Sequence, residues 1–169
     1  MNLVTGATGH IGNVLVRELI RQERPVRALV LPREDRACLD GLPVEICEGD
    51  VLDPGSLDAA MQGVDTVYHL AGIISIMPGQ DDFVRRVNVD GTKNILRAAQ
   101  QAGVRRLVYT SSIHAFGRPS EEVTIDESLP FDPQNTCGAY DRTKAEASLA
   151  VLDAAHNGLD AVVVCPTGV

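Results

Sequence analysis

The sequence predicts an α/β domain: a parallel sheet of about six strands with helices on both faces. Three observations predict it. Short β-branched apolar runs alternate with longer stretches of helical period, the pattern of successive βαβ units. Several of these runs are apolar almost throughout, as strands covered on both faces are. The first run also feeds straight into a glycine-rich turn that opens a helix.

Taken in order, the first strand is read over Asn2–Thr5, and behind the turn Ile11, Val14, Leu15 and Leu19 recur at helical spacing. Strands follow at 26–31 and 44–48. A further helix starts at Pro54, where proline is pre-set to the helical φ, with the Asp53 carboxylate as its cap. The strand at 66–70 precedes a long helix over about 81–101, and the strand at 106–111 follows it. Residues 117–138, rich in Pro, Asp and Glu, form the one long irregular stretch; a loop of that length in a compact domain is usually functional. A second long helix over Ala139–His156 leads to the last strand, 161–165. No repeat, low-complexity tract or linker interrupts the series, so one domain over 1–169 is expected.

Composition narrows the function classes. The chain has 169 residues, with 15 Lys+Arg against 23 Asp+Glu, and a formal net charge of −8. A chain of this length can bury roughly 70% of its unfolded surface. The acidic balance argues against nucleic acid, which demands a basic face. No run reaches the ~18 apolar residues of a membrane span, and no basic-then-apolar leader precedes Leu3; a cytoplasmic protein without membrane contact is expected. Cys38, Cys47, Cys137 and Cys165 are scattered, without a CxxC pair or a histidine pattern, which suits a reduced chain with no metal site. Aromatics are only 4%, so the core falls to Val, Leu, Ile and Ala.

The turn reads Thr5-Gly6-Ala7-Thr8-Gly9-His10-Ile11-Gly12. Gly6 permits the tight turn, Gly9 lets backbone N–H groups approach a pyrophosphate, and Gly12 lets helix and strand pack closely. The helix N-terminus adds partial positive charge. The spacing is GxxGxxG, and three glycines alone would equally suit a structural turn; the place behind the first strand favours a nucleotide. Asp50-Val51, ending the third strand, can bond an adenine edge or simply form a turn. Strand two ends in Val30-Leu31-Pro32-Arg33, without the acid that holds an unphosphorylated ribose 2′-hydroxyl. Arg33 suits a 2′-phosphate, or plain solvent, so the sequence leans to NADP over NAD; Glu34 and Asp35 stand close enough to weaken that lean.

Tyr140 and Lys144 stand four residues apart on one helix face. A free tyrosine has a pKa of about 10, and a neighbouring ammonium lowers it toward useful acid–base range. Strand five ends in Tyr109-Thr110-Ser111-Ser112, at the carboxyl edge where open α/β sheets bind ligands. A serine hydroxyl there can hold a substrate carbonyl beside the phenol, or merely turn the strand.

Six motifs in order make the chain similar, over nearly its whole length, to the extended short-chain dehydrogenase/reductases, also called NAD-dependent epimerase/dehydratases. They are TGATGHIG (5–12), GDVLD (49–53), HLAG (69–72), NVDGTKNIL (88–96), YTSS (109–112) and YDRTK (140–144). The resemblance implies a Rossmann-type doubly wound sheet in the order 3-2-1-4-5-6. It makes Tyr140 the general acid/base, Lys144 the group that lowers its pKa and binds the nicotinamide ribose, and Ser112 the residue orienting the reacting oxygen. Ser111 is the near alternative, and the spacing to Phe116-Gly117 favours Ser112. Asn88 matches a position near the cofactor, although a structural asparagine fits nearly as well. Gly6, Thr8, Gly9, His10, Ile11, Gly12, Asp50, Val51, Leu70, Ala71, Gly72, Thr110, Pro166 and Thr167 are expected along the dinucleotide path.

Residues 69–74 and 112–117 look more specifically like bacterial relatives of dihydroflavonol reductase and 3β-hydroxysteroid dehydrogenase. His114, one histidine in a loop after a strand, reads as structural more readily than catalytic. Phe116 stands where many members carry Tyr, and extended members continue past the sixth strand into a smaller substrate-binding region absent from these 169 residues. The implied function is NAD(P)-dependent hydride transfer between nicotinamide and a carbonyl or alcohol carbon. Alternatives are a nucleotide-sugar epimerase or dehydratase that retains its NAD, a dinucleotide sensor, which would not need Tyr140 and Lys144, and a truncated product that binds cofactor weakly. The resemblance also implies a homodimer through the two long helices. Ala147 and Val151 are then the apolar residues left outside an Ala145/Leu149/Leu152 stripe, unless both stripes serve the monomer core.

Overall fold

In the computed structural model, which describes residues 1–74, 79–117, 123–134 and 137–168, six strands pair in parallel. They are β1 (Asn2–Thr5), β2 (Val26–Val30), β3 (Glu45–Glu48), β4 (Thr66–His69), β5 (Arg106–Thr110) and β6 (Ala161–Val164). The order is β3-β2-β1-β4-β5-β6, as expected from the resemblance. The chain winds outward from β1 to β3, then returns to β1's other side as β4. Thr5 therefore lies beside Leu29 on one neighbour and His69 on the other. The crevice at that reversal is where such sheets bind ligands.

Alternation along each strand divides the core. Leu3 faces α2 (Pro54–Ala60), α4 (Gly91–Gln101) and α5 (Ala139–His156), packing with Leu57, Ile95, Leu107 and Val151. Val4 faces α1 (His10–Arg21) and packs with Val16, Leu19, Ala28 and Val30. Asp53 caps α2 as expected, its carboxylate accepting from the Gly55 amide at 3.1 Å.

Three expectations are corrected. The strands stop short of Leu31, Leu70, Ser111 and Cys165, and β3 starts after Val44. Beyond β4 and β5 the chain lines a cleft at Leu70 and Ser111. The long helix over 81–101 is not uniform either: α3 (Asp81–Arg85) passes into a π turn (Arg86–Asp90) before α4. The widened turn carries Asn88, 1% exposed, whose amide grips both backbone groups of Ile73. It accepts from the Ile73 N–H at 2.7 Å and donates to the Ile73 carbonyl at 3.0 Å. Single π turns of this kind are frequent at functional sites.

The faces of α5 are the third correction. Ala147 and Val151 are buried in the chain's own core, whereas Leu149 and Leu152 are 42% and 36% exposed. Small residues on the inner face let the helix approach the sheet closely enough for Ser148 to bond Ser111 at 2.6 Å.

Candidate active site

A cleft of about 940 Å³ opens at the carboxyl edge of the sheet. The glycine turn, the ends of β4 and β5, the start of α5 and the segment after β6 all line it.

At one end the turn is fixed by its glycines. Gly6 has φ +68°, and a β-carbon there would fall 2.8 Å from the Ala71 nitrogen. At Gly12 a β-carbon would sit 2.0 Å from the Gly6 carbonyl oxygen. Gly9 differs. Its backbone is extended, and a β-carbon would meet only the Gly6 carbonyl, at 3.3 Å. Neither its conformation nor the protein around it demands glycine; space in the cleft does. The N-terminus of α1 points its free amides into that space, a cradle suited to the phosphates of a dinucleotide.

Beneath the turn runs a closed hydrogen-bond chain. The Thr92 hydroxyl donates to the Asn88 carbonyl at 2.6 Å, so it accepts from His69 Nε2 at 3.0 Å. His69 Nδ1 then accepts from the Thr5 hydroxyl at 2.7 Å. Thr5 Oγ1 in turn accepts from the amides of Leu70 and Ala71, at 3.2 and 3.0 Å. The network thus assigns His69 the neutral Nε2–H tautomer. Burial, helped by the charge of Lys144, lowers its pKa to about 3, which keeps it neutral.

On the adenosine side, Arg33 is exposed and adopts φ +66°. That bend turns Glu34 back toward the glycine turn, where its carboxylate accepts from the Thr8 hydroxyl and, at 2.8 Å, from the Leu31 amide. A carboxylate thus stands beside the glycine turn. Asp50 closes a local turn by accepting from the Leu52 amide at 2.9 Å, and Val51 is buried against Gly91.

At the other end stand Ser112, Tyr140 and Lys144. Ser111 is tied to Ser148, whereas the Ser112 hydroxyl accepts from the His114 amide at 3.2 Å and lies near enough to the Tyr140 phenol to favour its ionised form. Lys144, almost fully buried, donates to the Thr110 carbonyl at 2.8 Å and lies 5.0 Å from the centre of the Tyr109 ring. Burial lowers its pKa to about 8.

The electrostatics of the phenol run opposite to expectation. Burial pushes the Tyr140 pKa up; the Ser112 hydroxyl partly offsets this, and the Asp141 carboxylate adds to it. The ammonium is turned to Thr110 and Tyr109 instead. A phenol with a raised pKa is protonated at neutral pH, the form a proton donor needs.

Of the sequence-predicted residues, the cleft brings together Gly6, Gly9, His10, Ile11, Gly12, Leu70, Gly72, Thr110, Ser112, Tyr140, Lys144, Pro166 and Thr167. Thr8, Arg33, Asp50, Val51, Ala71 and Asn88 support or flank it without lining it. The lining residues not singled out as site residues include Asp141, buried next to Tyr140, and His114, whose Nδ1 lies 3.8 Å from an Asp141 oxygen. Adjacency within Tyr140-Asp141 was the available signal. Among the described residues no cluster of His, Cys, Asp or Glu could hold a metal ion, and no helix is long and apolar enough to cross a membrane.

Comparison with known proteins gives this geometry a context. Residues 3–168 match the family described as 3-beta hydroxysteroid dehydrogenase/isomerase. The chain is 41% identical to sterol demethylase protein B of Methylococcus capsulatus, over 99% of this chain and 51% of that protein. It is 38% identical to a 3 beta-hydroxysteroid dehydrogenase/Delta 5-->4-isomerase of Mycobacterium tuberculosis, over 99% and 46%. Among solved structures, a short-chain dehydrogenase/reductase superfamily protein from Agrobacterium tumefaciens with bound NAD superposes with a TM-score of 0.84 at 33% identity, covering 98% of this chain and 48% of that one. The chain spans about half the length of the curated relatives it matches.

Proposed function

Because this chain belongs to the 3-beta hydroxysteroid dehydrogenase/isomerase family, we propose that it is the cofactor-holding and proton-transferring part of an oxidoreductase acting on a carbonyl or alcohol carbon of a small molecule. One observation carries the reading: a glycine cradle at a helix N-terminus and a protonated phenol beside a serine share one cleft. When bound, a nicotinamide dinucleotide supplies the hydride. The backbone amides from Gly9 into the start of α1 would hold its pyrophosphate, with Gly6 and Gly12 shaping the turn, and Lys144 would meet the ribose beside the nicotinamide. Ser112 orients the substrate oxygen, and Tyr140 gives it a proton as negative charge develops there. A dinucleotide sensor would have no use for the last two roles.

The cofactor in this proposal is NAD(H), which reverses the lean drawn from Arg33. A Glu34 carboxylate bonded to Thr8 can accept from ribose hydroxyls, and it repels a 2′-phosphate placed at the same spot. Fluorescence titration of the purified chain is expected to show NADH binding at least about tenfold tighter than NADPH. Glu34→Gln narrows that gap, and Arg33→Ala leaves it unchanged. Tighter binding of NADPH would overturn the cofactor assignment, and binding of neither would overturn the function. NAD that stays bound through purification would instead indicate a nucleotide-sugar epimerase or dehydratase.

A homodimer is also proposed, now through the outward Leu149 and Leu152 of α5 in place of Ala147 and Val151. Light scattering is expected to give twice the chain mass, and Leu149→Glu combined with Leu152→Glu to halve it. A native chain that stays monomeric at high concentration ends this idea. The cytoplasm is the proposed location, supported by the free thiols Cys38, Cys47 and Cys165.

A further inference from the structure

Lys144 presents a physical problem. It is a cation, 5% exposed, in a chain whose nearby carboxylates are engaged elsewhere. On its own helix Asp141 faces His114 and Glu146 faces Arg85 and Lys93. The groups turned toward the ammonium from other elements are neutral or only polar. His69 of β4 is held uncharged, the Cys165 thiol after β6 is pushed up by burial, and Gly72 offers backbone alone. Tyr140 on α5 keeps its proton. Two features remain that stabilise a positive charge: the Thr110 carbonyl at 2.8 Å, and the face of the Tyr109 ring at 5.0 Å.

Tyr109 is unusual in its own right. It is 1% exposed, its ring lies 5.5 Å from the His69 ring, and its hydroxyl makes no well-formed hydrogen bond, meeting only a Thr92 hydroxyl already engaged with His69 and Asn88. A buried hydroxyl so poorly paired adds little, so the residue's main contribution comes from the ring. An aromatic face carries negative quadrupole density, and a desolvated ammonium within about 6 Å of its centre is attracted to it.

We infer that Tyr109 is a positioning residue for the reaction: its ring face, together with the Thr110 carbonyl, seats the Lys144 ammonium at the floor of the cleft and keeps it charged. This rests on the proposed role of Lys144 toward the cofactor ribose. Tyr109 touches no substrate and acts only through Lys144.

The sequence makes the test direct, because Lys93 and Lys144 are the only lysines. With lysine labelled at its terminal methylene carbon, two NMR signals titrate, and Lys93→Arg assigns them. Tyr109→Phe retains the ring and is expected to keep the Lys144 midpoint near about 8. Replacing residue 109 with a phenylalanine carrying three ring fluorines preserves the shape but drains the π face. A less stabilised cation loses its proton more easily, so the midpoint is expected to fall by about half to one pH unit. Tyr109→Leu is expected to lower it similarly, and the fluorinated ring decides the matter should the leucine variant fail to fold. NADH affinity should weaken with rising pH in every variant, beginning at lower pH where the ring is weakened.

Equal midpoints for the phenylalanine and its fluorinated form would overturn the inference. So would a fall in Tyr109→Phe as large as in Tyr109→Leu, since that would give the hydroxyl the role. Failure of the underlying reading looks different: Lys144→Met would then bind NADH as the native chain does, while the midpoint still followed the ring.

Discussion

Gly9→Val removes dinucleotide binding while leaving the fold in place. The two halves of this expectation come from different observations. The backbone at Gly9 is extended, a conformation valine adopts readily, and its β-carbon meets only one carbonyl oxygen at 3.3 Å, so the protein itself loses little. The cleft loses the approach of a pyrophosphate to the amides at the start of α1. Two charge-assisted hydrogen bonds at about 1.5–3 kcal/mol each correspond to roughly 10²–10⁴ in Kd. Far-UV circular dichroism should stay native while NADH titration goes flat. Gly12→Val is the contrast: a β-carbon 2.0 Å from the Gly6 carbonyl has no room, so that variant should fail in the spectrum before it is tried with NADH. Native NADH affinity in Gly9→Val would sink the phosphate-turn assignment.

Tyr140→Phe is expected to bind NADH within about twofold of the native chain and to lose turnover by roughly 10²–10⁴. The phenol acts as charge develops on the substrate oxygen, so its loss belongs in the rate constant. Ser112→Ala should also act mainly on turnover. Lys144→Ala should differ in kind: losing a charged ribose contact worth about 1.5 kcal/mol weakens NADH roughly tenfold as well. Turnover is followed as NADH absorbance in a polypeptide of the relatives' length, and binding in the chain itself. The raised Tyr140 pKa sets the pH behaviour. Carbonyl reduction, which uses the protonated phenol, should hold across neutral pH, whereas the reverse reaction should gain as pH rises. Near-native turnover in Tyr140→Phe would take the proton-donor role away from Tyr140.

The strands and the glycine turn were legible because each leaves a local mark in the sequence. Strands covered on both faces are apolar runs, and Gly6 and Gly12 stand where backbone crowding admits nothing larger. What escaped depends on distant partners. Glu34 reaches Thr8 only because Arg33 takes a left-handed turn, which no residue type at 33 announces. On α5, Ala145 faces inward as expected, but hydropathy wrongly drew Leu149 and Leu152 inward, whereas close packing on the sheet selected Ala147, Ser148 and Val151. Spacing put Lys144 beside Tyr140 but could not say that its ammonium turns to a carbonyl and a ring on β5.

The π turn at Arg86–Asp90 gives the wall of the cleft a counting rule. A wide turn takes up one residue more than an α turn does, so everything ahead of it is rotated by about 100° relative to a regular helix. Deleting a single residue there would restore ordinary pitch and leave composition almost unchanged. It would also swing Asp81 and Arg85 off Arg142 and Glu146, and turn the Asn88 amide away from the Ile73 backbone. The phase between this helix and α5 is therefore stored in the number of residues, not in their kind. A homologue one residue shorter at this point has to hold the same stretch of cleft wall by other bonds.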